Sequence, residues 1–486
     1  MYILRNQTIS VFDIAKRKTH IDFLSWGSDR AELPCHVQAS FEILTKEKNR
    51  GRPIKPSAYN YFREGCGCAF LWNTASDACV ILNSREASHF TKPESSRLSD
   101  DFHALLYELG FYVDADLDEV FRIDLLRKRH AYAYPENGHI DIEILPTQSC
   151  NARCFYCFEQ KFTSLTMNED IANEVIRYIC SHVTADQNVC FIWFGGEPLL
   201  GEKIIDRILS EVRDFYGGKL QYTSSITTNN SLLTDEILQK FDGLWRVTDV
   251  LTTIDGYREE HNSRKAYVDK SVDAYAATLA NLKRLVERGI KTTCRLNLDK
   301  ENICQLDSIL SDLQPFSACP NFSIQLTTLR NKTDSRSVRD KYFAADEYPS
   351  FYQTVIPRLF AQGFVRDPLL MLPVRDSSNC ISCALNKVVI NANGNLFRCV
   401  QDSLADENAV GNCRDGMRSN WNYTKWYQEI DNLGESCESC IYLPCCQGGC
   451  KQYRRSPSFD TTPCFRKKFY IGIIADEVMK KYEKEC

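Results

Sequence analysis

The chain lacks the features that would place it in a membrane, outside the cell or on nucleic acid. No apolar run approaches the roughly 20 residues that a membrane-spanning helix needs. The first residues, Met1–Arg5, do not begin the long apolar core of a signal peptide. The formal net charge is -5, so no excess of basic charge argues for nucleic acid. We therefore expect a cytoplasmic protein without membrane or nucleic acid among its partners.

Cysteine is abundant, with 23 copies among 486 residues. In a secreted protein such a count would indicate disulfides, but without a signal peptide clustered thiols point to metal binding. The remaining composition is ordinary, with 43% hydrophobic and 25% charged residues, and predicts two or three globular domains. A protein with many metal-bound thiolates is expected to work in an anaerobic or strongly reducing setting.

One short stretch, Cys150-Asn-Ala-Arg-Cys154-Phe-Tyr-Cys157, carries three thiols in C-x3-C-x2-C spacing. It follows a strand-like apolar run at 140–145, so one loop can present three thiolates to a single cluster. Because a [4Fe-4S] cluster normally has four cysteine ligands, three would leave one iron open to another group. A zinc knuckle or a disulfide knot is the alternative, but the next thiol, Cys180, lies far along a predicted helix.

This spacing resembles that of the radical S-adenosylmethionine (radical SAM) family. In that family the amino and carboxylate groups of the cofactor fill the open iron position, and reduction of the sulfonium yields a 5′-deoxyadenosyl radical. The resemblance implies that Cys150, Cys154 and Cys157 are the catalytic cluster ligands and that Tyr156 belongs to the cofactor site.

Short apolar segments alternate with amphipathic ones from residue 140 onward, which argues for parallel βαβ units. Thr166-x-x-Glu169 indicates a capping box at the start of one helix. Chemistry is then expected at the carboxyl ends of the strands. The family fold is an open (β/α)6 barrel, with which the count of strands agrees. The predicted strands are 140–145, 189–194, 222–227, 248–254, 292–297 and 322–327.

The second and third of these strands end in motifs that resemble cofactor-binding motifs of the family. Gly195-Gly196-Glu197-Pro198 follows the second strand, where two glycines would allow a close backbone approach to a ligand and Glu197 would accept from the amino group of the cofactor. Asn229 closes the third strand as a candidate cofactor contact. Asn230 stands where the family has glycine, and we expect it to take the same positive φ.

The fourth and fifth strands end in further polar groups that the resemblance assigns to the cofactor. Thr253 begins Thr-Ile-Asp-Gly, and Arg264 follows a short segment later, where Asn262 replaces a family aspartate. Arg295 is expected to hold the methionyl carboxylate, which suits a guanidinium. Taken alone, Arg264 and Arg295 are more often surface salt-bridge formers, and only their strand-end positions bring them into the site.

A second set of thiols near the end of the chain resembles the SPASM extension of the family. Eight thiols suit two fully ligated [4Fe-4S] clusters, although two zinc sites fit the same count. A hairpin is predicted around Asn391-Ala-Asn393-Gly394, between strands at 388–390 and 396–398. The resemblance gives one cluster to Cys380, Cys383, Cys399 and Cys450, and the other to Cys437, Cys440, Cys446 and Cys464.

The chain is therefore predicted to be α/β, with an N-terminal α+β region (1–135), a partial (β/α)6 radical SAM barrel (136–335), a linker (336–370) and a cysteine-rich SPASM domain (371–486). Within the first region, 46–56 indicates a polar connector. Further predicted features are strands at 68–72 and 78–82 and a helix at 100–109 that ends before Gly110. This region weakly resembles the winged-helix domain with which peptide-modifying relatives bind a leader peptide by strand addition. A cap that only packs on the barrel is equally compatible.

These resemblances predict an oxidoreductase that matures a ribosomally made peptide, with a thioether or another crosslink as the product. It would use S-adenosylmethionine, three [4Fe-4S] clusters, a leader-bearing precursor peptide and a reducing donor such as flavodoxin or ferredoxin. An iron–sulfur electron carrier is a non-enzymatic alternative, but it would need no Gly195-Gly196-Glu197-Pro198 motif.

An anaerobic sulfatase-maturating enzyme, which makes formylglycine, is the second enzymatic alternative. Those enzymes carry an aspartate directly after the cysteine that matches Cys399, whereas Val400 follows here. Asp402 is the nearest carboxylate, and we expect it to face away from Cys399 unless the strand ends or bulges.

Overall fold

The computed structural model describes most of the chain. The residues described are 1–5, 53–91, 101–132, 138–161, 165–329, 340–373, 382, 384–402, 405–418, 420–431, 433, 435–451 and 466–482. In this part of the chain no helix is both long enough and apolar enough to cross a membrane.

Sixteen strands are present in the described residues. They are β1 Tyr2–Arg5, β2 Ile54–Pro56, β3 Asn60–Gly65, β4 Cys68–Asn73, β5 Cys79–Asn83, β6 Tyr112–Asp114, β7 His139–Thr147, β8 Asn188–Gly195, β9 Gln221–Thr227, β10 Val247–Ile254, β11 Lys291–Leu298, β12 Phe322–Thr328, β13 Lys387–Ile390, β14 Asn395–Phe397, β15 Gly411–Asn412 and β16 Gly416–Met417.

The α-helices of the described residues lie between and after these strands, together with several short 3-10 segments. They are α1 Ser84–Thr91, α2 Asp101–Glu108, α3 Glu119–Tyr132, α4 Glu169–His182, α5 Glu202–Phe215, α6 Asp235–Asp242, α7 Arg258–Lys265, α8 Ala274–Glu287, α9 Leu306–Leu313, α10 Tyr348–Ala361, α11 Trp421–Asp431, α12 Glu435–Glu438, α13 Leu443–Cys446 and α14 Ile471–Tyr482.

The core of the molecule is a sheet in which β7 to β12 run parallel and follow one another in chain order. All six predicted strands are confirmed. The helices between them place apolar side chains such as Val175, Ile179 and Leu209 on the sheet, each fully buried. Because the carboxyl ends of parallel strands share one edge, the loops after β7 to β11 meet there. The fold is thus the predicted α/β class, with a small N-terminal unit attached.

The first barrel helix, α4, begins differently from the prediction. Its N-cap is Asn168, whose side chain accepts a hydrogen bond from the Ile171 amide at 2.9 Å. The capping box with Thr166 as its first residue was therefore wrong. The Thr166 hydroxyl instead lies 2.8 Å from that of Thr147, at the end of β7. Asparagine is as good an N-cap as serine or threonine. The Thr166 hydroxyl is engaged with Thr147, and Asn168 caps the helix instead.

The cysteine-rich end of the chain joins the same sheet. Strand β13 pairs in parallel with β7, and β14 pairs antiparallel with β13, so the predicted hairpin is confirmed, with Gly394 at φ +76°. A buried ion pair of 2.8 Å between Lys387 and Glu143 lies across the β13–β7 contact. Cys399 follows β14, the second strand that the C-terminal region adds beside β7.

The N-terminal unit is a four-stranded sheet, in the order β1-β5-β4-β3, that is buried on both faces. One face, with Phe70 and Trp72, packs in one cluster with α14, α9 and α10. The other face packs on α1 and α2. The predicted strands, the helix over its described residues and the turn at Gly110 (φ +83°) are confirmed.

The predicted connector at 46–56 was wrong in its last part, because Ile54–Pro56 forms β2 and pairs with β6. Ile54 is buried in the N-terminal core, and this burial outweighs the polar, proline-bearing composition of the segment. Residues 46–52 lie outside the described part of the chain.

Candidate active site at the strand ends

The loop after β7 holds the three thiols of the C-x3-C-x2-C motif, each of them half-buried. The Cys157 amide donates to the Cys154 carbonyl at 3.0 Å, which folds the second half of the motif into a turn. Burial raises the pKa of Cys150 to about 11 and that of Cys157 to about 12, and the neighbouring acidic groups add to this. As free thiols they would be protonated at neutral pH. A metal centre would be needed to hold them as thiolates.

The three-thiol loop supplies the type of donor that an iron–sulfur cluster takes. In the described part of the chain no three His, Cys, Asp or Glu side chains converge closely enough to share one ion. In a four-iron cluster each thiolate binds a different iron, so the thiols need not converge on one point. The donor set of Cys150, Cys154 and Cys157 therefore fits the predicted cluster.

The two glycines after β8 are required by contacts within the chain. Gly195 has φ +123°, and a Cβ there would lie 2.1 Å from the Thr147 carbonyl oxygen. A Cβ at Gly196 would lie 2.3 Å from the Ser149 carbonyl oxygen. The Glu197 amide donates to this same oxygen at 2.9 Å. The glycines thus bring the β8 loop against the backbone that leads into the three-thiol loop, a reason that the sequence prediction did not include.

Glu197 is fully buried, and its carboxylate links the ends of β8 and β9. One oxygen accepts from the Thr228 hydroxyl at 2.7 Å and from the Leu199 amide at 3.2 Å, and the other from the Asn229 amide at 2.7 Å. Burial raises its pKa to about 7, although these donors act in the opposite direction. Two carboxylate oxygens offer about four acceptor positions, so room remains for a ligand ammonium.

Asn229 connects the end of β9 to the three-thiol loop. Its side-chain nitrogen, Nδ2, donates to the Asn151 side chain at 2.7 Å and lies 3.9 Å from the Cys150 sulfur. Its amide oxygen accepts from the Ser231 hydroxyl at 2.6 Å and from the Tyr267 hydroxyl at 3.1 Å. A residue predicted to contact the cofactor is thus also a neighbour of a thiol in the three-thiol loop.

Asn230 adopts the positive φ that the sequence predicted, at +68°. Its amide donates to the Thr228 hydroxyl at 3.0 Å, and its carbonyl accepts from the Asn281 side chain at 2.6 Å. The turn after β9 is therefore kept without glycine, because asparagine tolerates this conformation better than most residues.

The ends of β10 and β11 meet the three-thiol loop in a buried polar network centred on Asp255. Its carboxylate accepts from the Tyr156 hydroxyl at 2.6 Å and from the Asn297 side chain at 2.7 Å. The Lys265 ammonium lies 3.1 Å away and also donates to the Thr253 hydroxyl. Tyr156 and Thr253, both predicted cofactor contacts, are thus brought into one network.

The two predicted arginines have different surroundings. Arg264 is buried, and its guanidinium binds Asp299 at 2.6 and 3.1 Å, with Glu260 and Glu301 as further partners. Arg295 is half-buried; its Nε donates to Gln325 at 3.0 Å, and it has no carboxylate within salt-bridge distance among the described residues. Of the two, Arg295 is the cation left for an anionic ligand, and burial lowers its pKa, as expected for an unpaired cation.

Besides Asp255 and Asn297, two more residues of the site, Lys265 and Glu159, were missed from the sequence. Lys265 follows the predicted Arg264 in the chain. Its side chain is only 3% exposed, and this burial, seen only in the structure, marks it as part of the site. Glu159 follows the last thiol by two residues and is 8% exposed, and neither of its oxygens has a hydrogen-bond partner in the described residues. Burial raises its pKa to about 8. A carboxylate so close to Cys157 was the only signal that could have singled it out.

The C-terminal thiols are partly described. Cys437 packs with Tyr59 of the N-terminal unit and with Leu443, and the Cys440 amide donates to the Cys437 carbonyl at 3.1 Å. Cys399, Cys446 and Cys450 are half-buried. The predicted ligands Cys380, Cys383 and Cys464 lie outside the described residues. The assignment of these thiols to two auxiliary clusters therefore stays a prediction.

Asp402 lies close to Cys399 in the fold. Strand β14 ends at Phe397, and the chain then enters a 3-10 turn in which the Asp402 amide donates to the Cys399 carbonyl at 3.0 Å. The condition attached to the sequence expectation, that the strand ends, is met. In a 3-10 turn residues three apart lie on the same side. Asp402, which is buried, therefore lies on the side of Cys399 rather than opposite to it.

Comparisons with known proteins match the part of the chain that carries this site. Residues 144–313, from β7 to the end of α9, match the model of the radical SAM superfamily. The cysteine-type anaerobic sulfatase-maturating enzyme of Clostridium perfringens is 23% identical over 351 residues, which are 65% of this chain and 90% of the relative. The radical SAM cyclopropyl synthase TigE of Paramaledivibacter caminithermalis is 24% identical over 219 residues, or 41% of this chain and 44% of TigE.

A solved structure has the same fold. Native anSMEcpe with bound AdoMet and Cp18Cys peptide has a TM-score of 0.56 and 16% sequence identity, and the match covers 71% of this chain and 99% of that chain. At this level of identity the likeness concerns the fold.

Proposed function

Because this chain is an enzyme with a radical SAM domain, we propose that it matures a ribosomally made peptide by abstracting hydrogen from an unactivated carbon, with a thioether or another crosslink as the product. When bound at the strand ends, a [4Fe-4S] cluster and S-adenosylmethionine would supply the radical that makes such a carbon reactive. The contribution of the chain is to bind, orient and shield.

The observation that carries this proposal is the direct connection between the three-thiol loop and the strand ends. Asn229 lies beside Cys150 and is held by Glu197, while Tyr156 ties the loop to Asp255. An electron carrier would not need this buried polar network beside its cluster, so the network supports a cofactor site.

We assign the polar groups at the strand ends to separate parts of the cofactor. Glu197 would accept from the ammonium, with Gly195, Gly196 and Pro198 shaping its loop, and Arg295 would bind the carboxylate. Asn229, Thr253 and Tyr156 would line the space between them. Because the guanidinium of Arg264 already binds three carboxylates, we propose that it holds the α7 loop in place rather than contacting the cofactor.

The proposal is tested with the anaerobically reconstituted protein. We expect about twelve irons per chain, and the loss of about four of them when Cys150, Cys154 and Cys157 are all replaced by alanine. Reductive cleavage of S-adenosylmethionine should disappear in that variant. A variant with Cys180, Cys190 and Cys304 replaced by alanine is the matched control and should keep both properties. Cleavage that survives in the first variant would contradict the proposal.

Sulfatase maturation is a second candidate, and the position of Asp402 favours it. Formylglycine formation needs a base, and a buried carboxylate on the side of Cys399 could serve. The two candidates are separated by mass spectrometry with two substrates. A cysteine-containing precursor peptide that loses two hydrogens supports the crosslinking maturase. An aldehyde formed in a sulfatase-derived peptide, trapped by a hydrazine reagent and absent in Asp402→Asn, supports the second candidate.

A further inference from the structure

A buried ion pair lies against the three-thiol loop. The Lys265 ammonium and the Asp255 carboxylate are 3.1 Å apart, and their side chains are 3% and 0% exposed. Burial alone would lower the pKa of Lys265 and raise that of Asp255, but the mutual attraction outweighs burial, and both groups are held in their charged forms. The site thus contains one fixed positive and one fixed negative charge.

The pair touches the loop at two points. The Lys265 carbonyl accepts from the Arg153 amide at 2.8 Å and lies 4.0 Å from the Cys154 sulfur. Asp255 accepts from Tyr156, which stands between Cys154 and Cys157 in the chain. Both charged side chains are buried, so bulk water surrounds neither of them.

Stability does not explain such a pair. Replacing a buried ion pair by apolar side chains of similar volume is often neutral or stabilising, because both ions must be desolvated. Its position does suggest an effect on the thiols, since charges interact more strongly where water is excluded.

We propose that Lys265 and Asp255 set the reduction potential of the cluster held by Cys150, Cys154 and Cys157, with the lysine raising this potential and the aspartate lowering it. The inference rests on the proposed function, since it requires the cluster. Reduction adds one negative charge to a centre that three thiolates already make negative. A buried cation favours the reduced form and a buried anion opposes it, and charge and hydrogen bonding are known determinants of cluster potentials. Both residues are positioning residues in this proposal.

The test is a redox titration of the full reconstituted chain, followed by electron paramagnetic resonance. The signal of the loop cluster is identified as the one that changes on addition of S-adenosylmethionine and is missing when its three cysteines are replaced by alanine. We expect a lower midpoint potential in Lys265→Met and a higher one in Asp255→Asn. The double variant should return close to the wild-type value, as should Lys265→Arg, which keeps the charge.

Matched controls exist on the same two strands. Asp249 and Lys291 form an exposed ion pair of 3.0 Å near the amino-terminal ends of β10 and β11, away from the active site. Asp249 is six residues before Asp255, or about 20 Å along the strand. Lys291→Met and Asp249→Asn make the same charge changes there and should leave the midpoint potential unchanged.

The outcomes separate this inference from the proposed function. If the wild type shows no cluster that responds to S-adenosylmethionine, the proposed function fails and the inference with it. A second outcome is that the cluster responds to S-adenosylmethionine, that Asp255→Asn and Lys265→Arg keep the wild-type potential, and that Lys265→Met loses iron. The pair would then be structural, and only the inference would be wrong. Shifts of opposite sign in Lys265→Met and Asp255→Asn, with iron content unchanged, would support it.

Discussion

The carboxylate of Glu197 accepts a hydrogen bond of 2.7 Å from the hydroxyl of Thr228, although the two residues end different strands. This contact fixes the β9 loop relative to the β8 loop, and the same carboxylate also holds the Asn229 amide. Glu197 therefore has two tasks in our proposal: it orders the neighbouring loop and accepts from the ligand ammonium.

Glu197→Ala should weaken the binding of S-adenosylmethionine by about 1.5–3 kcal/mol, or roughly tenfold to more than a hundredfold, because a charge-assisted hydrogen bond is lost. The iron content should stay at the wild-type level. Thr228→Val is the control, because it removes a donor to the carboxylate but leaves the charge, and its effect on binding should be smaller. Calorimetric titration under anaerobic conditions measures both, and an unchanged dissociation constant in Glu197→Ala would refute the ligand role.

Gly195→Ala should prevent the two loops from meeting. The new Cβ would lie 2.1 Å from a backbone oxygen at φ +123°, so the β8 loop must move away from β7. We expect strongly reduced iron incorporation. Gly217→Ala is the matched control, because Gly217 also has a positive φ, of +57°, but no atom lies within 4 Å of its Cβ position. It should cost about 1 kcal/mol and bind iron normally. Equal iron contents in the two variants would contradict this argument.

The sequence predicted the strands well because each carries its own local signal. A βαβ chain alternates short apolar segments with amphipathic helices, and this pattern placed all six strands from β7 to β12 without knowledge of their partners. The local requirement for positive φ at Asn230 could be predicted for the same reason.

The contacts that complete the site could not be predicted in this way. The Lys265 carbonyl lies 4.0 Å from the sulfur of Cys154, which is 111 positions earlier in the chain. Nothing near Lys265 in the sequence indicates that its ammonium is buried. The pairing of β2 with β6 and the contact of Thr166 with Thr147 likewise depend on residues distant in sequence. Each such pairing is decided by packing, which propensity and pattern do not contain.

Residues 1–135 should not be removable without loss of solubility. The sheet face that carries Phe70 and Trp72 packs on α14, and an ion pair of 2.6 Å between Arg63 and Asp476 joins the same two elements. Deletion would expose the apolar face of α14, so we expect an aggregated remainder in size-exclusion chromatography. A truncated protein that stays monomeric and cleaves S-adenosylmethionine would contradict this prediction.

The same packing predicts a single unfolding transition for the N-terminal sheet and the barrel. Phe70→Ala should lower the free energy of unfolding by about 3–5 kcal/mol, because it leaves a cavity in a shared core. Phe121→Ala, on a side chain that is 64% exposed, is the control and should change it by about 0.5 kcal/mol or less. Two separate transitions in urea would contradict the prediction.

Glu159 should make stability depend on pH. Its folded-state pKa is raised to about 8 by burial, whereas an unfolded glutamate titrates near the ordinary value of 4.5. Between these values the folded chain keeps a proton that the unfolded chain has lost, so the free energy of unfolding falls as pH rises from about 4.5 to about 8. Glu159→Gln removes this dependence, because an amide of the same size stays neutral throughout.

We therefore expect Glu159→Gln to be more stable than the wild type at pH 9, by on the order of 1–3 kcal/mol, and to differ little from it at pH 4.5. A negatively charged cluster on the neighbouring thiols would raise the pKa of Glu159 further and keep the same sign. Urea unfolding at several pH values measures the difference, with Glu236→Gln as the matched control, since Glu236 is exposed on α6. If the two glutamine variants show the same pH dependence relative to the wild type, the buried carboxylate of Glu159 is not the source of the effect.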